Sequence, residues 1–265
     1  MCIIWRIVDD NSFVKPAAVI GRRILRFEQV TSTNDLVRQL AERGEAEGLV
    51  VTAEEQTSGR GRLGRRWIAP PRTSLQLSIL LRPPLAPHQA LSLTPMAALA
   101  VSRSLRDEFD LAPCLKWPND VLVNEKKCAG ILLETSIVGD ALAFAILGVG
   151  INVNFSMRAE APELAPFATT LADELHQDVD RAVLERALLA SLDDYYARLC
   201  AGENFLEEWR AQMSTLGRNV RVQTPWGIEE GVAEDVDADG ALFLRRGEEI
   251  VKLYAGDVTV LKDES

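Results

Sequence analysis

No stretch of this chain approaches the ~18 uninterrupted apolar residues of a membrane span, which excludes an ordinary transmembrane helix. The opening run Met1-Cys2-Ile3-Ile4-Trp5 is broken by Arg6, Asp9 and Asp10, short of the roughly 15–30 residues of a secretory signal. Cysteine is sparse: Cys2, Cys114, Cys128 and Cys200 form no CxxC pair and no compact disulfide spacing, so reduced packing thiols in a cytoplasmic protein are expected. Positive charge is in deficit. Lys and Arg total 29 against 39 Asp and Glu, a formal net charge of −10, which argues against a protein that coats nucleic acid. Low-complexity segments are missing too, and with 47% hydrophobic and 26% charged residues the composition is that of an ordered globular protein.

What is present is punctuated and periodic. At 265 residues the chain can hold one large and one small domain. Gly21–Val30 reads as a strand, and Ser32-Thr33-Asn34-Asp35 offers caps for a helix from about Asp35 to Arg43, closed by Gly44 and Gly48. Strands are expected at Leu49–Ala53 and Ser74–Leu81, the second alternating apolar and polar. After a turn at Pro83–Pro87, Leu91–Phe109 has the period and length of a mostly buried helix. Extended segments at Leu115–Trp117 and Val121–Val123, a hairpin turn at Asn124–Lys127, and strands at Ala129–Glu134 and Ala143–Val153 complete an expected sheet. Helices are expected at Val179–Ala201 and Phe205–Met213, and a small antiparallel barrel of about 50 residues after a boundary near Gly217.

The scarce positive charge is concentrated. Gly59-Arg60-Gly61-Arg62-Leu63-Gly64-Arg65-Arg66-Trp67 places four arginines within seven residues, between two strands. Glycines let a backbone approach a ligand closely, and guanidiniums are forked donors for phosphate or carboxylate. The run lacks the Lys-Ser/Thr ending of a P-loop and does not fit the dinucleotide fingerprint. By composition it is equally a solvated surface loop, and arginine–glycine runs also contact RNA. Trp67 is either a core anchor or a lid that stacks on a purine.

A second constellation, Lys116-Trp117-Pro118-Asn119-Asp120, sets a cation, an amide and a carboxylate around a stiff proline. That suits a nucleotide and its magnesium ion, and it is also common turn chemistry. Lys127 is a third cation, beside Gly130, or a plain turn lysine; Gly148 and Gly150 allow close approach before Asn152, itself readable as a strand-end amide.

Taken in order, Ser32-Thr33-Asn34, Gln56, the arginine–glycine loop, Lys116–Asp120, Lys127 with Ala129–Leu132, and Gly148–Asn152 resemble the motifs of the biotin–protein ligases. The resemblance covers about Phe27 to Asn154, with a weaker likeness after Gly217 to the family's SH3-like C-terminal domain. It implies an α+β fold: a mixed, largely antiparallel sheet flanked by helices, like the class II aminoacyl-tRNA synthetase core, over residues 1–216, and a small SH3-like β-barrel over 217–265. It also implies an activity in which biotin and ATP form biotinyl-5'-AMP and a lysine of a biotin carboxyl carrier protein then takes the biotin. On that resemblance Lys127, Arg62 and Lys116 are the catalytic cations; no enzyme nucleophile is needed. Ser32, Thr33, Asn34, Gln56, Arg60, Gly61, Arg62, Lys127, Gly130, Gly148 and Gly150 would bind biotin. Arg62, Arg65, Trp67, Lys116, Asn119, Asp120 and Asn152 would bind ATP, with Mg2+ carried on the phosphates and Asp120 a candidate ligand.

The loop would close over the adenylate and lack a fixed arrangement without ligand, because its like charges repel. Leu63 departs from the family pattern, in which an arginine is frequent. About 25 residues precede the first motif, fewer than the roughly 60 of a winged helix-turn-helix, so no DNA binding is expected. The oligomeric state stays open, a homodimer among the options. A lipoate–protein ligase is the alternative enzyme, and a nucleic-acid binder the alternative class.

Overall fold

The structure is a computed structural model that describes residues 18–261; Cys2 and the apolar opening run lie outside them. In chain order the elements are β1 (Arg23–Val30), α1 (Thr33–Glu42), β2 (Leu49–Gln56), β3 (Ser74–Leu81), α2 (Leu93–Phe109), β4 (Cys114–Lys116), β5 (Asp120–Val123), β6 (Lys126–Val138) and β7 (Ala141–Asn152), then α3 (Met157–Glu160), α4 (Leu171–Leu175), α5 (Arg181–Cys200) and α6 (Leu206–Gln212), and finally β8 (Asn219–Thr224), β9 (Gly227–Val236), β10 (Leu242–Arg246), β11 (Glu249–Leu253) and β12 (Asp257–Val260). The fold is mixed α+β. Helix α1 starts two residues earlier than its sequence suggested because Ser32 is the cap, its hydroxyl accepting from the Asp35 N–H at 3.4 Å. The Ala/Pro-rich stretch expected to be loop carries the short α3 and α4.

Seven strands form one sheet in the order β1-β2-β3-β7-β6-β5-β4, parallel between β1 and β2 and antiparallel elsewhere. Strand β3 is buried along its whole length, as a central strand covered on both faces must be. Its period of two sorts its residues. Leu75, Leu77, Ile79 and Leu81 join the large core under α2 and α5, while Leu80 joins a second, smaller core with Val37 and Ala41 of α1. On that second face Ser74, Gln76 and Ser78 are buried polar residues, and they require partners.

The last five strands form an antiparallel sheet in the order β11-β10-β9-β8-β12, with β11 and β12 at its edges. A closed barrel was expected; among the described residues no pairing of β11 with β12 closes one. This sheet is not a free appendage, because Val220, Val222, Leu242 and Val258 share one core with Leu115, Trp117, Trp209 and Met213. Trp117 is the pin. Its ring is 1% exposed, its indole N–H donates to the Gly240 carbonyl at 2.9 Å, and its backbone N–H donates to the Thr215 hydroxyl at 3.1 Å. Arg210 adds two bonds to the Asp235 carboxylate at 2.6 Å each.

Replacing Trp117 by Phe keeps most of the buried ring and removes the bond to Gly240. The expected cost is about 1–3 kcal/mol, read from chemical denaturation.

Candidate active site

Strand register assembles the site. Lys116 pairs with Asp120, Asp120 with Gly130, Gly130 with Gly150, and Gly150 with Gln76, so residues from five strands stand in one row on the α1 face of the sheet. Gly148 lies in the adjacent row, between Ser78 and Leu132. Three glycines thus leave part of this face without side chains. The space is used at once: a Cβ on Gly150 would stand 2.7 Å from the Trp67 indole, one on Gly130 3.1 Å from the Lys127 ammonium, and one on Gly148 would collide with the Asn34 amide. Trp67 therefore lies on a glycine floor, half-buried and outside both hydrophobic cores. It is a cover over the sheet and not a core anchor.

Lys127 reaches this face because of an irregularity. Between β5 and β6 the register shifts at Val121/Leu122, a bulge that re-aims one side chain. Cys128 turns into the core, where burial pushes its thiol up to about 12, and Lys127 emerges on the site. Its ammonium pairs with Asp120 at 2.5 Å and stands 5.8 Å from the Trp67 ring centre. With its thiol protonated and buried, Cys128 offers no nucleophile.

The N-terminus of α1 supplies a polar wall. Gln56 Oε1 accepts from the Thr33 N–H at 2.8 Å and hydroxyl at 3.1 Å, and Gln56 Nε2 donates to Gln76 Oε1 at 2.8 Å. Ser78 bonds Thr33 Oγ1 at 2.7 Å and Asn34 Oδ1 at 2.5 Å, while Asn34 Nδ2 donates to Glu134 at 2.9 Å. Gln76, Ser78 and Glu134 were missed from sequence. The signal was present in the alternation of Ser74, Gln76 and Ser78 with leucine and isoleucine along β3.

Each of three loop arginines finds compensation outside the loop. Arg60 is held by Asp35 at 2.6 Å and Glu134 at 3.1 Å, Arg65 by Asp257 of β12, and Arg62 by Asn119 Oδ1 at 3.1 Å and the Gly256 carbonyl at 3.2 Å. Burial lowers the pKa of Arg62, with Asp120 and Asp257 opposing that shift and Arg65 adding to it. The repulsion inferred from the loop's composition is thus offset by carboxylates distant in sequence. Leu63 adopts a left-handed conformation, φ 54°, with an exposed side chain.

Two cavities adjoin here. The first, about 130 Å³, is lined by Ser32, Thr33, Asn34, Gln56, the loop from Arg60 to Trp67, Asn119, Asp120, Lys127 and the three glycines. At that size it falls below the ~300–1,000 Å³ of most ligand pockets, because Trp67 and the loop occupy part of it. The second, about 880 Å³, shares Arg65, Arg66, Trp67, Asp120, Lys127 and Asp257 with the first and adds Lys116 and Asn152. Lys116 and Asn152 line only this second cavity, in the company of Arg65, Trp67, Asp120 and Lys127. Asn152 is 4% exposed, its amide donating to the Thr169 carbonyl at 3.0 Å. Among the described residues no three His, Cys, Asp or Glu side chains cluster to hold a metal. Asp120 is paired with Lys127 at 2.5 Å.

Residues 26–152 match the Biotin/lipoate A/B protein ligase family, and residues 215–261 match the Biotin protein ligase C terminal domain. A biotin--[acetyl-CoA-carboxylase] ligase of Mycobacterium tuberculosis is 39% identical over 245 residues, 88% of this chain and 87% of that protein. The chain belongs to the biotin protein ligase family. The bifunctional ligase/repressor BirA of Bacillus subtilis is 33% identical over 91% of this chain and 74% of its own length. Among solved structures, the biotin protein ligase from Aquifex aeolicus in complex with biotin and ATP superposes with a TM-score of 0.76 at 28% identity, covering 91% of this chain and 99% of that one. The first family match spans the whole row of site residues on the ligase's main sheet, and the second includes Gly256 and Asp257, which touch the arginine loop.

Gly150→Ala forces the Trp67 indole off its floor. The expected result is faster acrylamide quenching of tryptophan fluorescence than in the unsubstituted chain, an increment that disappears when Trp67→Phe is added.

Proposed function

We propose that this chain is an ATP-dependent biotin–protein ligase that forms biotinyl-5'-AMP from biotin and ATP and passes the biotinyl group to a lysine of a biotin carboxyl carrier protein. The observation that carries this reading is the pair of adjoining cavities whose common wall holds Lys127, Arg65 and Trp67. A carboxylate in one cavity and a triphosphate in the other would meet at that wall. Their mutual repulsion is the obstacle to the first step, and fixed cations lower it.

In the first step a carboxylate oxygen of biotin attacks the α-phosphorus and pyrophosphate leaves. Lys127 would hold the reacting carboxylate, and Arg62, Arg65 and Lys116 would receive the phosphates. In the second step the carrier's neutral lysine amine attacks the carbonyl carbon of the mixed anhydride and AMP departs with its electron pair. Ser32, Thr33, Asn34, Gln56, Arg60, Gly61, Gly130, Gly148 and Gly150 would enclose biotin, whose ureido ring offers one acceptor and two donors. Trp67, Asn119, Asp120 and Asn152 are assigned to the nucleotide, with Trp67 the lid against which a purine stacks. Loop closure would keep water from the anhydride. Mg2+ would arrive on the phosphates, with Asp120 a candidate ligand.

The finer assignments belong to the same reading: a class II synthetase-like core over 1–216, an SH3-like module over 217–265, a cytoplasmic enzyme, and no DNA partner in view of the −10 charge. The lipoate ligase alternative is not favoured, because relatives named as biotin ligases match 88% and 74% of this chain. Calorimetry separates the two: biotin should bind and lipoate should not, and the reverse result defeats the biotin assignment.

Lys127→Ala should slow biotin-dependent pyrophosphate release by about 10²–10³-fold, the size of a lost electrostatic contact in a transition state, with little change in melting temperature. Normal turnover in that variant removes Lys127 from its role.

A further inference from the structure

The hydrogen bonds of the polar wall fix the direction of each amide in it. Asn34 Nδ2 donates to the Glu134 carboxylate at 2.9 Å, and a carboxylate accepts, so Asn34 Oδ1 faces Ser78. The Thr33 backbone N–H can only donate, so the Gln56 atom that meets it at 2.8 Å is the oxygen. Gln56 Nε2 is then a donor, and the Gln76 atom that meets it at 2.8 Å is again the oxygen. Gln76 Nε2 is left at the end of this chain. Its side chain is 2% exposed, and Nε2 is buried with no acceptor among the described residues. Turning the Gln76 amide over would set two NH2 groups against each other, so the unpartnered donor is imposed by Thr33 through Gln56.

A second buried donor is aimed at the same place. Trp67 Nε1 also has no acceptor among the described residues, and the glycine floor gives its direction. A Cβ on Gly130 would stand 3.3 Å from Trp67 Cζ3, and one on Gly150 2.7 Å from Cε2. Those two atoms are opposite corners of the six-membered ring, so the indole runs across the sheet from β6 to β7. Nε1, bonded to Cε2, continues that line toward β3, where Gln76 stands opposite Gly150. The Lys127 ammonium lies at the other end, over Gly130. Two inter-strand steps, about 9.5 Å, separate the row positions of Gly130 and Gln76. Gln56, Trp67, Lys127 and both glycines line the first cavity, which thus has a cation at one end of its floor and two neutral donors at the other.

We infer that Gln76 is a specificity-determining residue for the acid substrate: its Nε2, together with Trp67 Nε1, donates to the ureido oxygen of biotin. This rests on the biotin ligase reading above. Buried donors call for an acceptor, and two that converge far from Lys127 call for a neutral one at the end of the ligand opposite its carboxylate. The ureido oxygen meets that description, whereas ring sulfurs such as those of lipoate are weak acceptors. A site built around donors discriminates against a ligand that leaves them unpaired. Only the edge of the indole is committed in this way, so its outer face stays available to the nucleotide.

The test is calorimetric titration of the full chain and its Gln76→Glu and Gln76→Met variants with biotin and with iminobiotin, whose protonated cyclic guanidine presents N–H donors where biotin presents its ureido oxygen. The unsubstituted chain should prefer biotin. Gln76→Met, which removes the donor, should bind biotin about tenfold more weakly, the size of one lost hydrogen bond. Gln76→Glu turns the donor into a charged acceptor, so biotin affinity should fall by about tenfold or more while iminobiotin affinity rises. Unchanged affinities, or equal losses for the two ligands in Gln76→Glu, as a merely structural role would give, overturn the inference and leave the ligase reading intact. Should both variants misfold, the Trp67 indole N–H resonance of the unsubstituted chain, assigned with Trp67→Phe, takes their place: it should move downfield with biotin and not with iminobiotin, and a resonance that biotin leaves in place overturns the inference. An unsubstituted chain that binds no biotin overturns both readings.

Discussion

The site depends on a patch of β-sheet that carries no side chains. Gly130 and Gly150 face each other across β6 and β7, with Gly148 one row away, and each lies under a group the site uses: Lys127 with Trp67, Trp67, and Asn34. A methyl group at Gly148 or Gly150 would lift its neighbour off the sheet. Glycine in a strand interior is ordinarily a loss, in entropy and in packing. Here the missing atoms are the space in which a cover and a polar wall are seated, so the local cost to the strand is the condition for the cavity.

The same economy governs charge. A chain with ten more acidic than basic side chains concentrates cations in one loop and then anchors them with carboxylates from three separate elements: Asp35 on α1, Glu134 on β6 and Asp257 on β12. These pairs are partly exposed, and exposed ion pairs contribute little to stability one by one. Their effect is positional. Arg60 is held to the main sheet and Arg65 to the C-terminal sheet, so the loop is tethered at both ends across the cavity it borders.

The C-terminal sheet is tied to this arrangement through the segment Lys116–Asp120. Trp117 faces away from the cavity and bonds Gly240, while its neighbours Lys116, Asn119 and Asp120 line the two cavities. One short segment thereby serves packing on one side and the site on the other. Gly256 and Asp257 approach the arginine loop from the same C-terminal sheet.

Much of this was legible in the residues themselves. Strand β3 was bounded correctly by its alternation and the long helices to within two residues by their period, and the segments around Ser32, Gln56, Lys116, Lys127 and Gly148–Asn152 were singled out by residue type and order, because such signals are local and the chemistry of a side chain travels with it. What the linear order could not carry was register. That Gly130 stands opposite Gly150, that a one-residue bulge turns Lys127 outward and Cys128 inward, and that Asp257 meets Arg65 from 192 residues away are consequences of strand pairing. Pairing is chosen by the packing of both faces of the sheet at once, so residue type and order pointed to candidate residues, while the inclusion of Gln76, Ser78 and Glu134 among them and the arrangement of them all were decided only by the tertiary fold.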